Sequence, residues 1–98
     1  MTAEAPSPFD ARRPYRLHPQ VALRPEPFGA LAYHYGNRRL VFLRDPDLVR
    51  VVEGLDGQES AESTLDALGV PAARRTAFGR ALASLHRAEV IAEVSDGR

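Results

Sequence analysis

The stretch from Phe28 to Leu43, FGALAYHYGNRRLVFL, decides the fold because it holds two apolar runs separated by a turn signal. The dipeptide Gly36-Asn37 is of the kind that supplies the positive φ of a two-residue hairpin turn. The predicted hairpin pairs Tyr35 with Arg38, His34 with Arg39, Tyr33 with Leu40, Ala32 with Val41 and Leu31 with Phe42.

Alternation along the hairpin divides its side chains between two faces, neither of which is cleanly polar. One predicted face carries Leu31, Tyr33, Leu40 and Phe42. The other carries Ala30, Ala32, His34, Val41 and Leu43.

A shorter strand is predicted upstream of the hairpin, over Gln20–Arg24, with Pro25-Glu26-Pro27 as the loop that returns the chain to Phe28. The result is a three-stranded meander with residues 28–35 in the middle. Prolines bracket the first strand, and proline commonly blunts a sheet edge because it cannot donate to a ladder.

The third strand, within Arg38–Arg44, is an edge without such protection. It holds four consecutive apolar residues, has charges only at its ends, and contains no proline. One interpretation is that a helix or the amino-terminal arm covers this edge, or that its arginines suffice as gatekeepers. The other is that a partner's extended segment pairs with it by strand addition.

Three helices are predicted after the meander. Asp45 caps the first, Pro46 opens it and it stops near Gly54 to Gly57. Ser60 caps the second, over Ala61–Leu68, which Gly69 terminates; the third opens at Pro71 and runs to about Ala88, and residues 90–94 fit either a short strand or an extension of that helix. The prediction is therefore an α+β fold, a three-stranded antiparallel meander followed by three helices, similar in order to a winged helix.

Composition limits the function more than it identifies it. Ninety-eight residues with 44% hydrophobic content predict one domain, over residues 15–94, between a flexible arm (1–14) and a tail (95–98). The chain has no cysteine and no lysine, which excludes thiolate chemistry, a lysine Schiff base and a P-loop. The sequence shows neither a signal peptide nor a membrane-spanning segment, so a cytoplasmic protein of a GC-rich bacterium is expected.

Charged residues fall into two blocks. Five acids and no base lie between Glu53 and Asp66, whereas residues 74–87 hold four arginines and no acid. The blocks can neutralise each other, or the arginines can attract an acidic peptide or a nucleic acid backbone. His18, His34 and His86 are far apart in sequence, so no metal site, cofactor or catalytic residue is predicted and an enzyme is not expected.

The segment Tyr15–Tyr33, YRLHPQVALRPEPFGALAY, with the following Leu40–Leu43 and the helix over 45–55, resembles the small peptide chaperones of mycofactocin biosynthesis. These are RiPP recognition elements, the domains that bind leader peptides in ribosomally made, post-translationally modified peptide pathways. The resemblance covers roughly residues 15–90. It implies a winged-helix-like fold and a protein that is not an enzyme.

The resemblance also implies a function. Members of this family bind the leader of the mycofactocin precursor and present it to a radical-SAM maturase, which decarboxylates and cross-links the precursor's carboxy-terminal Val-Tyr. In the broader family of RiPP recognition elements, the leader adds as a strand beside the third strand and fills the groove between that strand and the third helix. Peptide-binding residues implied here are Arg39, Leu40, Val41, Phe42, Leu43, Arg74, Arg75, Phe78, Leu82 and His86.

The alternative function is a winged-helix DNA-binding protein that places the helix over residues 71–87 in the major groove. Its arginines favour this hypothesis. Zero net charge, the acidic block beside the helix and the lack of Asn or Gln to read adenine oppose it. Neither a nucleic acid nor a membrane partner is therefore expected.

Overall fold

Five strands and three helices follow one another in residues 8–94, the part of the chain that the structure, a computed structural model, describes. The predicted meander followed by helices is confirmed, and two further short strands flank it. The elements are β1 (Tyr15–Leu17), β2 (Val21–Glu26), β3 (Gly29–His34), β4 (Leu40–Leu43), α1 (Pro46–Gly54), α2 (Ala61–Ala67), α3 (Ala72–Arg87) and β5 (Ile91–Glu93).

The hairpin of β3 and β4 has the predicted register but a different turn. Tyr33 pairs with Leu40, and the pairing continues to Ala30 and Leu43. The predicted two-residue turn is wrong, because the positive φ, 64°, falls on Arg38. The Arg38 amide donates to the His34 carbonyl at 2.7 Å, which closes a four-residue loop. Both loops are centred on the Gly36-Asn37 bond, so the register is the same.

Strand β2 continues through Pro25, where a loop was predicted, and the turn is Pro27-Phe28 instead. Its register explains why a proline fits. The Tyr35 amide donates to the Gln20 carbonyl at 2.7 Å, so alternate residues of β2 direct their backbone groups to β3. Pro25 is not one of these residues, so its lack of an N–H removes no hydrogen bond between β2 and β3.

The helices pack on one face of the sheet, although the predicted alternation left neither face cleanly polar. Ala30, Ala32 and Leu43 are almost fully buried on that face together with His34. The opposite face carries the more exposed side chains, including those of Leu40 and Phe42. The core members contributed by the helices are Leu48, Val51, Val52, Ala61, Leu65, Phe78, Leu82 and Leu85.

The helix ends have the predicted chemistry. The Asp45 carboxylate accepts from the Asp47 amide at 2.9 Å, and Ser60 forms a capping box with Ser63. Gly69 ends α2 with a φ of 70°, as predicted. Pro71 precedes α3 as its N-cap. None of the helices within residues 8–94 is long and apolar enough to cross a membrane.

The first and last strands of the domain, β1 and β5, pair with each other. The sequence did not predict β1. Tyr15 pairs with Glu93 and Leu17 with Ile91, so residues 91–93 form a strand rather than an extension of α3. Residues 8–14, the last part of the predicted arm, pack on the domain: the Ala11 and Arg13 carbonyls accept from the first two amides of α2 at 2.8 and 3.0 Å. Residues 1–7 and 95–98 lie outside the described residues.

Candidate functional site

Strand β4 forms one edge of the three-stranded sheet. Within residues 8–94 its backbone hydrogen bonds go to β3 alone. The His34 amide donates to the Arg39 carbonyl at 3.0 Å, which fixes the phase of the ladder. Because the bonding direction alternates along an antiparallel strand, Val41 faces β3, and Leu40 and Phe42 direct their N–H and C=O groups to the open edge.

Contacts tie both ends of α3 to residues that flank β4, in the order expected for a helix that runs antiparallel to the strand. At its start, the Arg74 guanidinium donates to Asp45, two residues beyond β4, at 2.9 Å. After its end, Glu89 Oε1 lies 3.7 Å from Nε2 of His34, which pairs next to the first residue of β4. An open strand edge and the side of a helix therefore lie next to each other.

The side of α3 that bears Arg74 carries small residues. Ala77, Ala81 and Ala88 follow Arg74 at spacings that repeat along one side of a helix. Ala77 is exposed, and Ala81 and Ala88 are partly buried. This side of α3 therefore presents little side-chain bulk.

The ten predicted site residues fall into three groups. Arg39, Leu40, Val41 and Phe42 lie together along β4 with some part of each accessible. Leu43, Phe78 and Leu82 are core residues with at most 4% of their surface exposed. Arg74, Arg75 and His86 lie on α3 but not on one side of it.

The three α3 residues of the last group already have contacts within the chain. Arg74 lies beside β4. Arg75 donates to the Val70 carbonyl at 3.0 Å and to Asp66, and the ring of His86 packs 5.4 Å from that of Tyr15. Arg75 and His86 therefore lie toward α2 and β1 rather than β4.

Arg74 joins the start of α3 to the start of α1. Its guanidinium donates to Asp47 at 2.8 Å as well as to Asp45, and it lies 4.6 Å from the centroid of the Phe78 ring. Hydrogen bonding to Asp47, with the charges of both acids, raises the pKa of Arg74. An exposed network of this kind positions the helix more than it stabilises the domain.

The arrangement of the arginines does not favour the DNA-binding alternative. Both arginines in the first turns of α3, Arg74 and Arg75, are paired with carboxylates of the same chain. Of the ion pairs within residues 8–94, the one between Arg75 and Asp66 joins the acidic block to the arginine block. Phosphate contacts from these two side chains would have to displace those carboxylates.

Sequence reasoning missed a cluster of His18, His34 and Glu89. The two imidazole rings are 4.4 Å apart, and ligand atoms of all three residues lie within 4.8 Å of one another, a spacing that could hold a metal ion. The tautomers of the two histidines do not favour metal binding. Nδ1 of His34 accepts from the Gly36 and Asn37 amides, and Nδ1 of His18 accepts from the Gln20 amide. When either ring is neutral, its proton is therefore on Nε2, the atom that would have to bind the metal.

The cluster instead fastens loops beside β4. The buried His34 side chain closes the hairpin loop through its two accepted hydrogen bonds, and its Nε2 has no hydrogen-bond partner within the described residues. Glu89 carries the nearest carboxylate and has a positive φ of 65° at the end of α3. Sequence spacing could not predict this cluster, because its three residues come from segments that are far apart in the chain.

We expect the stability of the domain to depend on His18 at mildly acidic pH. Burial, followed by the charge of His34, lowers the pKa of His18 from 6.5. Because the unfolded chain takes up the proton more readily, the stabilising contribution is present above pH 6.5 and is lost as the pH falls through the lower folded pKa.

A pH series of urea unfolding for the native chain and His18→Asn tests this expectation. Asparagine can also accept from the amide two residues on but does not titrate. The free energy of unfolding of the native chain should fall more than that of the variant as the pH drops below 6.5. Parallel curves would contradict the expectation.

Comparison with known proteins assigns the chain to a family. The model of the peptide chaperone MftB family matches residues 14–92. A peptide chaperone MftB from Mycolicibacterium smegmatis is 43% identical over 83 residues, which cover 85% of this chain and 81% of the relative. Proteins of the same name from Mycobacterium tuberculosis and Mycobacterium ulcerans are 50% identical over 64 residues and 44% identical over 77 residues.

The aligned parts cover 65% of this chain and 59% of the M. tuberculosis protein, and 79% of this chain and 71% of the M. ulcerans protein. No solved structure gives a significant match. All three relatives are named as chaperones and none as an enzyme. The chain belongs to the peptide chaperone MftB family and is a peptide chaperone rather than an enzyme.

Proposed function

We propose that this protein binds the leader of the mycofactocin precursor peptide by strand addition to β4 and presents it to a radical-SAM maturase. The observation that carries the proposal is the open edge of β4, where Leu40 and Phe42 direct backbone donors and acceptors away from the sheet. An added strand satisfies those groups, as in other peptide complexes formed by β-augmentation. A cytoplasmic location, shared with the maturase, is part of the proposal.

The site has a second wall in α3. A peptide strand beside β4 places alternate side chains toward Val41 and the alanine-bearing side of the helix. The contact area is at the low end of specific interfaces, and ordering a flexible leader reduces the net gain. We therefore expect a dissociation constant between about a micromolar and tens of nanomolar.

Titration of the ¹⁵N-labelled protein with the cognate precursor peptide tests the proposal directly. Saturable binding should persist at moderate salt, and the amide signals of Arg39–Leu43 should shift. Isothermal titration with the maturase present shows whether a ternary complex forms. Absence of precursor binding, both with and without the maturase, would exclude the proposed function.

A tryptophan at Ala77 is expected to block the site. Ala77 lies on the same side of α3 as Arg74, and its exposed position should accept a large side chain without loss of folding. Binding of the precursor should weaken about tenfold or more, since the new ring occupies space that the peptide requires.

The neighbouring variant Thr76→Trp is the matched control. Thr76 is also exposed, but it is rotated by about 100° around the helix from Ala77, away from β4. Its affinity should remain within about twofold of the native value. Equal losses in both variants would mean that this side of α3 is not a wall of the site.

A further inference from the structure

The outer face of the sheet, opposite the helices, is apolar and aromatic where it meets the open edge. Leu40 and Phe42 are 54% and 51% exposed. The ring of Phe28 stacks on that of Phe42 at 5.7 Å, and the Arg44 guanidinium lies 5.1 Å from the Phe42 centroid. This surface is named the outer patch: Phe28, Leu40, Phe42 and Arg44.

Two residues belong both to the outer patch and to the open edge. Leu40 and Phe42 direct their backbone groups toward an added strand and their side chains onto the outer face. Residues directly opposite each other in neighbouring strands share a face. Two peptide residues, two positions apart, must therefore lie beside Leu40 and Phe42 on the outer face.

Unpaired arginines lie at both ends of β4. Arg38 and Arg39 precede the strand and Arg44 follows it, and none of them is in an ion pair with another described residue. Arg74 and Arg75, by contrast, are neutralised within the chain. Positive charge available to a peptide is therefore located at the ends of β4 and not at the start of α3.

The outer patch is too small to hold a second copy of the chain by itself. Its half-exposed side chains offer roughly a few hundred Å², compared with about 800 Å² per partner in a stable interface. The occupant must therefore also use the backbone groups of the edge. An extended peptide does so, and the charges favour one with acidic residues.

We propose that the bound peptide is read on the outer face of the sheet, by a pattern of two bulky apolar residues two positions apart with an acidic residue on each side. The apolar pair packs beside Leu40 and Phe42. One acid pairs with Arg38 and the other with Arg44, in contacts that the exposed guanidinium groups can form with a carboxylate. This inference rests on the proposed function and specifies the peptide that the same edge takes.

The test measures binding of the cognate precursor peptide by fluorescence anisotropy to the native protein, Arg44→Glu and Arg80→Glu. Arg80 makes no ion pair with the described residues and lies about 120° around α3 from Arg74, whose contacts mark the side toward β4. Its reversal therefore makes the same change in net charge away from that side. Arg44→Glu should weaken binding about tenfold or more, and Arg80→Glu by less than about twofold.

Substitutions in the peptide complete the test. Serine replacements along the peptide should identify two apolar positions, two residues apart. At each, the loss of affinity should match the loss that Leu40→Ser causes in the protein. Replacing the acid that faces Arg44 with arginine should weaken binding to the native protein and restore it to Arg44→Glu.

The outcomes separate the two proposals. In one outcome, the precursor shifts the β4 amide signals, but Arg44→Glu and the serine replacements leave its affinity unchanged. This result would overturn the outer-face inference and leave the proposed function standing. No precursor binding by the native protein overturns both. Equal losses for Arg44→Glu and Arg80→Glu would assign the effect to net charge and also overturn the inference.

Discussion

Replacing Phe42 with proline is expected to weaken precursor binding by about a hundredfold or more. The substitution removes the ring from the outer patch and also the outward N–H, leaving a peptide carbonyl without a partner. Each loss costs about 1–3 kcal/mol, which corresponds to roughly 5- to 150-fold in affinity. Affinity is measured by isothermal titration with the precursor, and the melting temperature is measured alongside.

Two further variants separate the contributions. Phe42→Ala removes the ring but keeps the N–H, so it should bind about tenfold more tightly than Phe42→Pro at a similar melting temperature. Val41→Pro removes an N–H that bonds to β3, and it should lower the melting temperature instead. If Phe42→Pro and Phe42→Ala bound equally well, strand addition to this edge would be wrong.

Replacing Leu82 with alanine is expected to have the largest effect on stability. Leu82 is 1% exposed in the core. Leucine-to-alanine substitutions at such positions cost about 2–5 kcal/mol, a large share of the roughly 5–15 kcal/mol that stabilises a small domain. The melting temperature, followed by circular dichroism, should therefore fall by roughly 10–30 °C.

The same variant distinguishes a core role for Leu82 from a direct peptide contact. A core residue should affect precursor affinity little at temperatures where the variant is folded, whereas a contact residue should weaken binding without a drop in the melting temperature. The exposed neighbour Arg80→Ala is the control and should change stability by less than about 0.5 kcal/mol. A weakened interaction at unchanged melting temperature would return Leu82 to the peptide site.

Local signals in the sequence were sufficient for much of the fold. The Asp45 cap, the Ser60 cap and the Gly69 terminator depend on a few adjacent residues, and the structure confirms them. The register of the β3–β4 hairpin was predicted correctly although the turn type was wrong, because both loops are centred on the Gly36-Asn37 bond. A turn depends on which residue adopts positive φ, and here the His34 side chain holds a longer loop together.

The remaining features depend on contacts between distant segments. The pairing of Tyr15 with Glu93 spans almost the whole described chain and has no local signature. His18 meets His34 only because the strand between them returns along its neighbour.

Helical phase was the main uncertainty at the candidate site. Sequence periodicity identified an apolar stripe on α3, but which of its flanks lies along β4 depends on the reach of Arg74 to Asp45. Arg75 and His86 lie on the opposite flank. Four of the ten predicted residues, Arg39 to Phe42, form the accessible strand, because an edge strand can be identified from its apolar run and turn without knowledge of packing.

The pairing of β1 with β5 has a consequence for how the domain folds. Contacts between residues far apart in sequence carry the greatest loop-closure entropy, so this small sheet is expected to form after the meander and its helices. A covalent connection between the two strands would remove that cost, because their ends are already adjacent. The domain is therefore suited to circular permutation, with new termini placed in the exposed turn at Gly57.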